Sequence, residues 1–172
     1  VMGYNPCAEQ SLAAYETCCL AEVYLPNIES KDELLDVCKI LYRINKHSLA
    51  LPCHLKETED IVHKNMRMGI GVTGVLQATE EQRSWLNETY RRLREFDFKY
   101  SHEHGFPESV KLTTVKPSGT LSLLPGVTSG CHPAYSQYMI RRIRIAADHA
   151  RSYNERLAEA AGQTQEGMSA GP

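Results

Sequence analysis

The sequence predicts an α/β protein with a parallel sheet, and three observations support this. Runs typical of strands alternate with patterns typical of helices, proline and glycine mark their boundaries, and each helical pattern is long enough to cross back over a sheet. The 172 residues suffice for one domain with its own hydrophobic core. We therefore expect βα units whose helices cover the strands.

The first predicted strand lies at 18–28. The run CCLAEVYLPNI has strand character and ends at the turn signal of Pro26. Ser30 and Glu33 then form a capping-box pattern, and apolar residues recur behind them at helical spacing until Pro52. This pattern predicts one amphipathic helix after the strand.

The second strand and helix are predicted from 67–78 onward. RMGIGVTGVLQA is apolar and interrupted by glycines, which is typical of a closely packed strand. Thr79 and Gln82 can cap a helix that continues to about His104 and ends at Gly105. One apolar stripe of this helix should face the sheet: Trp85, Leu86, Tyr90, Leu93 and Phe96.

The last predicted elements are a strand at 109–115 (SVKLTTV), another at 138–146 (YMIRRIRIA) and a helix after it. Arg142 and Arg144 share one face of the last strand, where solvation explains them better than a ligand does. Residues 161–172 lack an apolar period, and we expect them to form a flexible tail.

The composition is that of a soluble globular protein. Hydrophobic residues make up 42% and charged residues 23%, without an apolar run long enough to suggest a membrane span. A net charge of −2 argues against a nucleic-acid surface, because phosphate-backbone binding needs a basic excess. Six cysteines without a secretory segment favour the reducing cytoplasm. Because the sequence starts at Val1 with no element before GYNPCAEQ, we expect a piece of a longer chain.

Three cysteines lie within residues 5–19, NPCAEQSLAAYETCC, and such a cluster can serve packing, metal binding or catalysis. Cysteine is a frequent core residue, so packing alone could explain them. Zinc would need paired CxxC spacing or nearby histidines, and the nearest histidine is His47, so we assign no metal. A thiol oxidoreductase of thioredoxin type would need a CxxC pair, which the sequence lacks.

Cys7 and Glu9 suggest a more specific alternative. On an extended segment, side chains two positions apart face the same way, so this thiol and carboxylate could meet one substrate as sulfur reactant and general base. Cys18 and Cys19 open the first strand and should face opposite sides. Only one of them can share a cavity with Cys7, and the other should be packing.

Residues 116–122, KPSGTLS, are a second candidate site, which we call the phosphate loop. Proline and glycine turn the chain after a strand, and a short helix could begin at Ser118 or Gly119. Its N–H groups, with the hydroxyls of Ser118, Thr120 and Ser122, would make a seat for phosphate. An ordinary turn with a serine cap explains the same residues.

Gly69, Gly71 and Gly74 match the dinucleotide-binding pattern GxGxxG. That fingerprint needs a helix directly after the last glycine and a following strand within one βαβ unit. Here the glycines lie inside the strand-like run, so close backbone packing is the better explanation.

Three stretches in order resemble one enzyme family: NPCAEQ with the following ETC, then KNMRMGIGVTG, then TVKPSGTLSLLPGVTSGCHPAYSQYMIRRIR. They are similar to the catalytic chain of ribonucleotide reductase in its adenosylcobalamin-dependent class II form, from about Asn5 to Ile145. The spacing of Cys7 and Cys18 resembles class II. The resemblance implies radical reduction of ribonucleotides, with triphosphates favoured, to 2′-deoxyribonucleotides.

The resemblance also implies a fold and residue roles. Residues 1–160 would form the second half of a ten-stranded α/β barrel, with the central finger loop at the N-terminal end. Cys7 at its tip would become a thiyl radical, Glu9 would be the base on the ribose 3′-hydroxyl, and Asn5 would hold the ribose. Cys18 would be one of two reducing thiols. The phosphate-binding residues would be Ser118, Gly119 and Thr120.

Partners follow from the same resemblance. Adenosylcobalamin would generate the radical through contacts mostly outside this chain, a thioredoxin-type dithiol would restore the cysteine pair, and deoxynucleotides would regulate the full chain. Many relatives have asparagine at the position of Cys19, and we expect His132 to be structural. The chain holds no identifiable partner for Cys18, so alone we expect it to be inactive and poorly soluble. A non-redox nucleotide-phosphate binding or regulatory module, or another reductase class, remains an alternative.

Overall fold

The computed structural model describes residues 3–136 and 138. The predicted strand 138–146 beyond its first residue, with Arg142 and Arg144, lies outside the described residues, as do the helix after it and the tail. The chain divides into two units, Val1–Ala134 and Tyr135–Pro172, and the description below concerns the first. Its elements are β1 (Gly3–Tyr4), β2 (Ser11–Leu12), β3 (Cys19–Tyr24), α1 (Lys31–Leu49), α2 (Lys56–Asn65), β4 (Met68–Thr73) and α3 (Glu80–His104), with 3₁₀ turns at Leu25–Asn27 and Leu121–Leu123.

The sheet that organises this unit is parallel. β3 and β4 pair in register over their whole length, and the segment 111–114 runs parallel to β4 as well, with a bridge between Ile70 and Thr113. The Met68 N–H donates to the Lys111 carbonyl at 3.0 Å. This segment is the third predicted strand, and it pairs less extensively than the sequence suggests. Parallel neighbours joined through helices confirm the α/β class.

Both long helices begin and end as their sequences predict. The Ser30 hydroxyl accepts from the Glu33 N–H at 3.2 Å at the start of α1. At the start of α3, Thr79 and Gln82 form a complete capping box, and Gly105 ends the helix in a left-handed conformation with φ 70°.

Helix α2 and the short hairpin β1–β2 are not evident from the sequence. α2 has no capping side chain at Leu55 and buries only Val62 among its residues, so it lacks both a start signal and an apolar stripe. β1 and β2 have two residues each, and they pair antiparallel. Among the described residues, no helix is both long and apolar enough to cross a membrane.

The hydrophobic core lies between the sheet and the two long helices. α1 packs against α3, β3 and β4. Cys38 is 5% exposed, as its place on the helical stripe predicts, whereas Tyr90 of the α3 stripe is 45% exposed. The other core residues include Val23, Leu25, Leu34, Tyr42, Leu49, Met68, Ile70, Leu93 and Leu112.

A buried ion pair joins α1 to α3 beneath this core. The Lys46 ammonium lies 3.1 Å from the Asp97 carboxylate, and both side chains are fully buried. Asp97 also accepts from the Tyr42 hydroxyl at 2.7 Å and from the Ser109 N–H at 3.0 Å. Burial lowers the pKa of Lys46, and the Asp97 carboxylate opposes that shift. The pair therefore fixes the chain that leads from α3 to the third strand.

Replacing Asp97 with alanine should lower the free energy of unfolding of the intact protein by about 3–5 kcal/mol, because it leaves the Lys46 charge buried and unpaired. Urea unfolding would measure this as a fall in the midpoint. The matched control is Asp60→Ala, since Asp60 pairs with Lys56 at 2.7 Å where both side chains are well exposed. Equal shifts in the two variants would contradict the buried pair's role.

Candidate functional site

The two faces of β3 have different neighbours. Cys19, Ala21 and Val23 pack against the core under the helices. Leu20 and Glu22 alternate with them and point to the opposite face. We call this second face the open face; it meets Gln10 beside Leu20 and Ser118 at Glu22.

The loop 5–10 between β1 and β2, which we call the finger loop, is a tight turn. The Asn5 N–H donates to the Gln10 carbonyl at 3.1 Å, and the Ala8 N–H donates to the Asn5 carbonyl at 2.9 Å. Ala8 has φ 59°, so the prediction that Cys7 and Glu9 share a face of an extended segment is wrong. The turn instead exposes Cys7 at its tip.

Glu9 lies beside Cys7 but is less accessible. Its side chain atom Oε2 is buried without a hydrogen-bond partner among the described residues. A buried carboxylate oxygen without a partner is costly unless a further donor completes it. This oxygen is therefore an acceptor that a donor on a bound ligand would complete.

Polar contacts to the sheet hold the finger loop in place. The Glu9 carbonyl accepts from the Thr114 hydroxyl at 2.8 Å and from the Lys111 ammonium at 3.3 Å. Gln10 is fully buried and donates through Nε2 to the Met68 carbonyl at 3.3 Å. The sequence singles out none of these three side chains, because each acts through contacts distant in the chain.

The glycines of β4 make room for this loop. A Cβ added at Gly69 would lie 2.3 Å from Gln10 Nε2 and 2.8 Å from the Thr114 methyl, and one at Gly71 would lie 3.1 Å from the Lys116 side chain. The prediction that these glycines serve close packing is confirmed. Glycine at position 69 thus leaves room for the side chains of Gln10, Leu20 and Thr114, which any Cβ there would displace.

The adjacent cysteines separate as the alternation of a strand requires. The Cys18 sulfur lies 3.8 Å from the Asn5 side-chain nitrogen, at the base of the finger loop. Cys19 turns toward α1, where its sulfur lies 3.9 Å from the Asn45 carbonyl. Burial raises the pKa of the Cys19 thiol, and Cys18 adds to that shift. Cys18 therefore faces the finger loop, whereas Cys19 packs.

Glu16 fixes the approach to Cys18. Its carboxylate accepts from the Ala13 N–H at 2.7 Å, the Asn65 amide at 2.8 Å and the Arg67 guanidinium at 2.9 Å. Burial raises the Glu16 pKa, but these three donors outweigh burial and hold the pKa below its ordinary value. The carboxylate thus joins the segment before Cys18 to α2 and β4.

The phosphate loop differs from its predicted form. The first helical turn is the 3₁₀ turn Leu121–Leu123, so the predicted helix start at Ser118 or Gly119 is wrong. Ser118 is 7% exposed with φ 50°, and its hydroxyl donates to the Glu22 carboxylate. Gly119 and Thr120 are exposed. The loop therefore offers these two residues to solvent and turns Ser118 toward the sheet.

Two other polar side chains in or near this loop, Ser122 and His132, contact neighbouring residues of the chain. Ser122 is 1% exposed, and its hydroxyl lies 3.2 Å from the Ser129 hydroxyl. The His132 ring nitrogen Nδ1 lies 3.2 Å from the Ser129 carbonyl. In residues 3–136 and 138, no group of three or more histidine, cysteine or acidic side chains could hold a metal ion.

Comparison with known proteins gives relatives of one kind, although no protein-family model matches the chain. It is 38% identical over 153 residues to the adenosylcobalamin-dependent ribonucleoside-triphosphate reductase of Euglena gracilis, covering 86% of this chain and 21% of that protein. The enzyme of the same name from Lactobacillus gasseri is 34% identical over 177 residues, covering 84% of this chain and 24% of the enzyme.

A solved structure of a B-12 dependent, class II ribonucleotide reductase superimposes with a TM-score of 0.74 at 29% identity. The superposition covers 84% of this chain and 24% of that one. These proteins are homologues of the chain over most of its length, which confirms the resemblance found in the sequence. The chain spans about a fifth to a quarter of the length of the relatives it matches.

Replacing Glu16 with glutamine should destabilise the intact protein at pH 7 by about 1–3 kcal/mol, the range for unmade hydrogen bonds to a charged group. Because the folded pKa of Glu16 lies below the ordinary value of 4.5, its contribution is complete above that value and is lost as the pH falls through the folded pKa. The melting temperatures of variant and parent should therefore converge below about pH 4.5. The exposed Glu95→Gln should differ little from the parent at any pH, and a pH-independent gap for Glu16→Gln would contradict this linkage.

Proposed function

We propose that the chain is part of the catalytic subunit of an adenosylcobalamin-dependent ribonucleotide reductase that acts on ribonucleoside triphosphates. The observation that carries the proposal is the arrangement of the open face. The finger loop presents Cys7 and Glu9 there, Asn5 contacts Cys18 at its base, and the phosphate loop lies farther along β3 at Glu22. The names of the homologues supply the cofactor and the substrate class.

The first half of the proposed reaction uses the finger loop. Cys7, as a thiyl radical, takes the hydrogen from the ribose 3′ carbon, and Glu9 accepts the proton of the 3′-hydroxyl. The buried Glu9 oxygen without a partner among the described residues supports this role. Asn5 orients the ribose through its amide nitrogen, since its side-chain oxygen already accepts from the Gln10 N–H at 3.0 Å.

The second half is a two-electron reduction. The 2′-hydroxyl leaves as water, and a hydrogen takes its place on the 2′ carbon. Cys18 and a second thiol outside the described residues supply two electrons and two protons and become a disulfide. At the end of the turnover the Cys7 thiol returns its hydrogen atom to the 3′ carbon and is again a radical. An external dithiol of thioredoxin type then reduces the disulfide by thiol exchange.

Adenosylcobalamin, when bound, would supply the initial radical for Cys7 through homolysis of its carbon–cobalt bond. We assign no set of side chains to cobalamin within the described residues, and we propose that most of its contacts lie elsewhere in the whole protein. Cys7 fits such a radical source because it is exposed at the tip of the finger loop. The approach to that sulfur is therefore open on the described part of the chain.

The finer features of the fold belong to the same proposal. We assign residues 1–160 to the second half of a ten-stranded α/β barrel, in which β3, β4 and the segment 111–114 are consecutive strands around the finger loop. The whole enzyme is proposed to be cytoplasmic and regulated by deoxynucleotides.

The intact reductase should form deoxynucleotides from ribonucleoside triphosphates, without oxygen and with a dithiol, only when adenosylcobalamin is added. Cys7→Ser should abolish this product because serine cannot form the thiyl radical. Product formation without cobalamin would favour another reductase class. Nucleotide binding with no reduction under any condition would favour a non-redox binding module.

Cys18 and Cys19 offer a matched pair of variants. Cys18→Ala should abolish multiple turnovers, because the two-electron donor is lost, while Cys19→Ala should keep turnover within about threefold, because this thiol only packs toward α1. Deoxynucleotide formed per enzyme in the presence of excess dithiol measures both. Loss of turnover in Cys19→Ala alone would reverse the assignment.

A further inference from the structure

Glu22 is a buried charged residue on the open face that the proposed reaction does not use. It lies in the middle of β3, and its side chain is 3% exposed. A buried carboxylate is costly unless it is paired and hydrogen-bonded. Its partners therefore indicate what it does.

Those partners come from two other parts of the chain. One carboxylate oxygen accepts from the Thr73 hydroxyl at the end of β4 and from the Ser118 hydroxyl in the phosphate loop. The Lys116 ammonium lies 3.4 Å from the other oxygen. Glu22 thus joins both strands to the beginning of the phosphate loop, and its second oxygen is paired with the Lys116 charge but accepts no hydrogen bond from the described residues.

The same cluster holds the end of the segment that starts at the phosphate loop. The Thr73 hydroxyl oxygen accepts from the Gly130 N–H at 3.1 Å. Gly130 packs so closely on the Lys116 carbonyl that an added Cβ would lie 2.3 Å from its oxygen. One carboxylate therefore fixes, directly and through Thr73, both ends of the segment 116–130.

Ser118 is the residue on which this contact acts. Its φ of 50° lies in the left-handed region, which residues other than glycine rarely adopt unless their surroundings impose it. The bond to Glu22 directs the hydroxyl to the sheet and leaves Gly119 and Thr120 on the exposed side.

We propose that Glu22 is a positioning residue for substrate phosphate binding, and that Ser118 acts through Glu22 instead of contacting the phosphates. The phosphates of the ribonucleotide meet the exposed Gly119 and Thr120 portion of the loop. This inference rests on the proposed function for the identity of the ligand, and it changes the role that the sequence assigns to Ser118.

A double-mutant cycle on nucleotide binding tests this inference in the intact protein. Binding of CTP is measured by equilibrium dialysis, without cobalamin or dithiol, for the parent, Glu22→Ala, Ser118→Ala and the double variant. Ser118→Ala should weaken binding about tenfold, and Glu22→Ala should weaken it at least as much, because it also releases Thr73 and Lys116. The double variant should bind no more weakly than Glu22→Ala, because Ser118 acts only through Glu22. Three outcomes would overturn the proposal. The losses of affinity could multiply in the double variant, Ser118→Ala could weaken binding while Glu22→Ala does not, or the parent could fail to bind CTP.

Further variants separate positioning from a general loss of structure. Glu22→Gln keeps an oxygen that accepts from both hydroxyls and should restore most of the affinity, whereas the exposed Glu95→Ala should bind as the parent does. In the active enzyme, Glu22→Ala should raise KM for CTP while kcat stays within about threefold. A fall in kcat with unchanged KM would count against phosphate positioning. If Glu22→Ala does not fold, Glu22→Asp takes its place in the cycle under the same criteria.

The readouts distinguish this inference from the proposed function. Non-additive CTP binding in a protein that reduces no nucleotide would support the role of Glu22 and reject the reductase activity. Cobalamin-dependent reduction with multiplied binding losses would support the reductase and reject the role of Glu22.

Discussion

The close approach of the finger loop to β4 is the contact on which the site depends. Gln10 reaches the Met68 carbonyl, and Thr114 reaches the Glu9 carbonyl, only because Gly69 carries no side chain between them. Both contacts hold backbone and not the reactive groups, so the loop is fixed while Cys7 stays exposed. A loop held at its base can present a thiol in one position without enclosing it, which suits the proposed reaction, in which this sulfur meets both a radical source and a substrate.

The alternation of side chains along a strand places the adjacent residues Cys18 and Cys19 in different environments. Cys18 and Cys19 are adjacent, yet one contacts Asn5 on the open face and the other lies against the Asn45 carbonyl of α1. Burial raises the pKa of Cys19 and so disfavours the thiolate that thiol exchange requires. The same alternation places Glu22 on the face of Cys18, which links the two ends of the proposed site through one strand.

The sequence predicts the features that depend on local signals. Caps at Ser30 and Thr79, the glycine end at Gly105 and the opposite faces of Cys18 and Cys19 all follow from patterns within a few residues. Helix α2 lacks such signals, and the turn at Cys7 depends on contacts that Asn5 and Gln10 make across the hairpin. The bond from Ser118 to Glu22 joins residues far apart in the chain, so no local pattern could indicate it. The position of Glu22 could have been predicted from the sequence, because side-chain alternation from Cys18 places it on the open face.

Uncommon backbone conformations recur in the loops that carry the proposed site residues. Among the described residues other than glycine, positive φ occurs at Ala8, Tyr15, Ser118 and at the end of α2. The first three lie in the finger loop, before Cys18 and in the phosphate loop, and each is beside a polar contact: the Asn5 carbonyl, the Glu16 carboxylate and the Glu22 carboxylate. Such conformations persist only where the surroundings determine them. Hydrogen bonds therefore hold three loops of the chain in uncommon conformations. This is expected of a site whose geometry is set before the substrate binds.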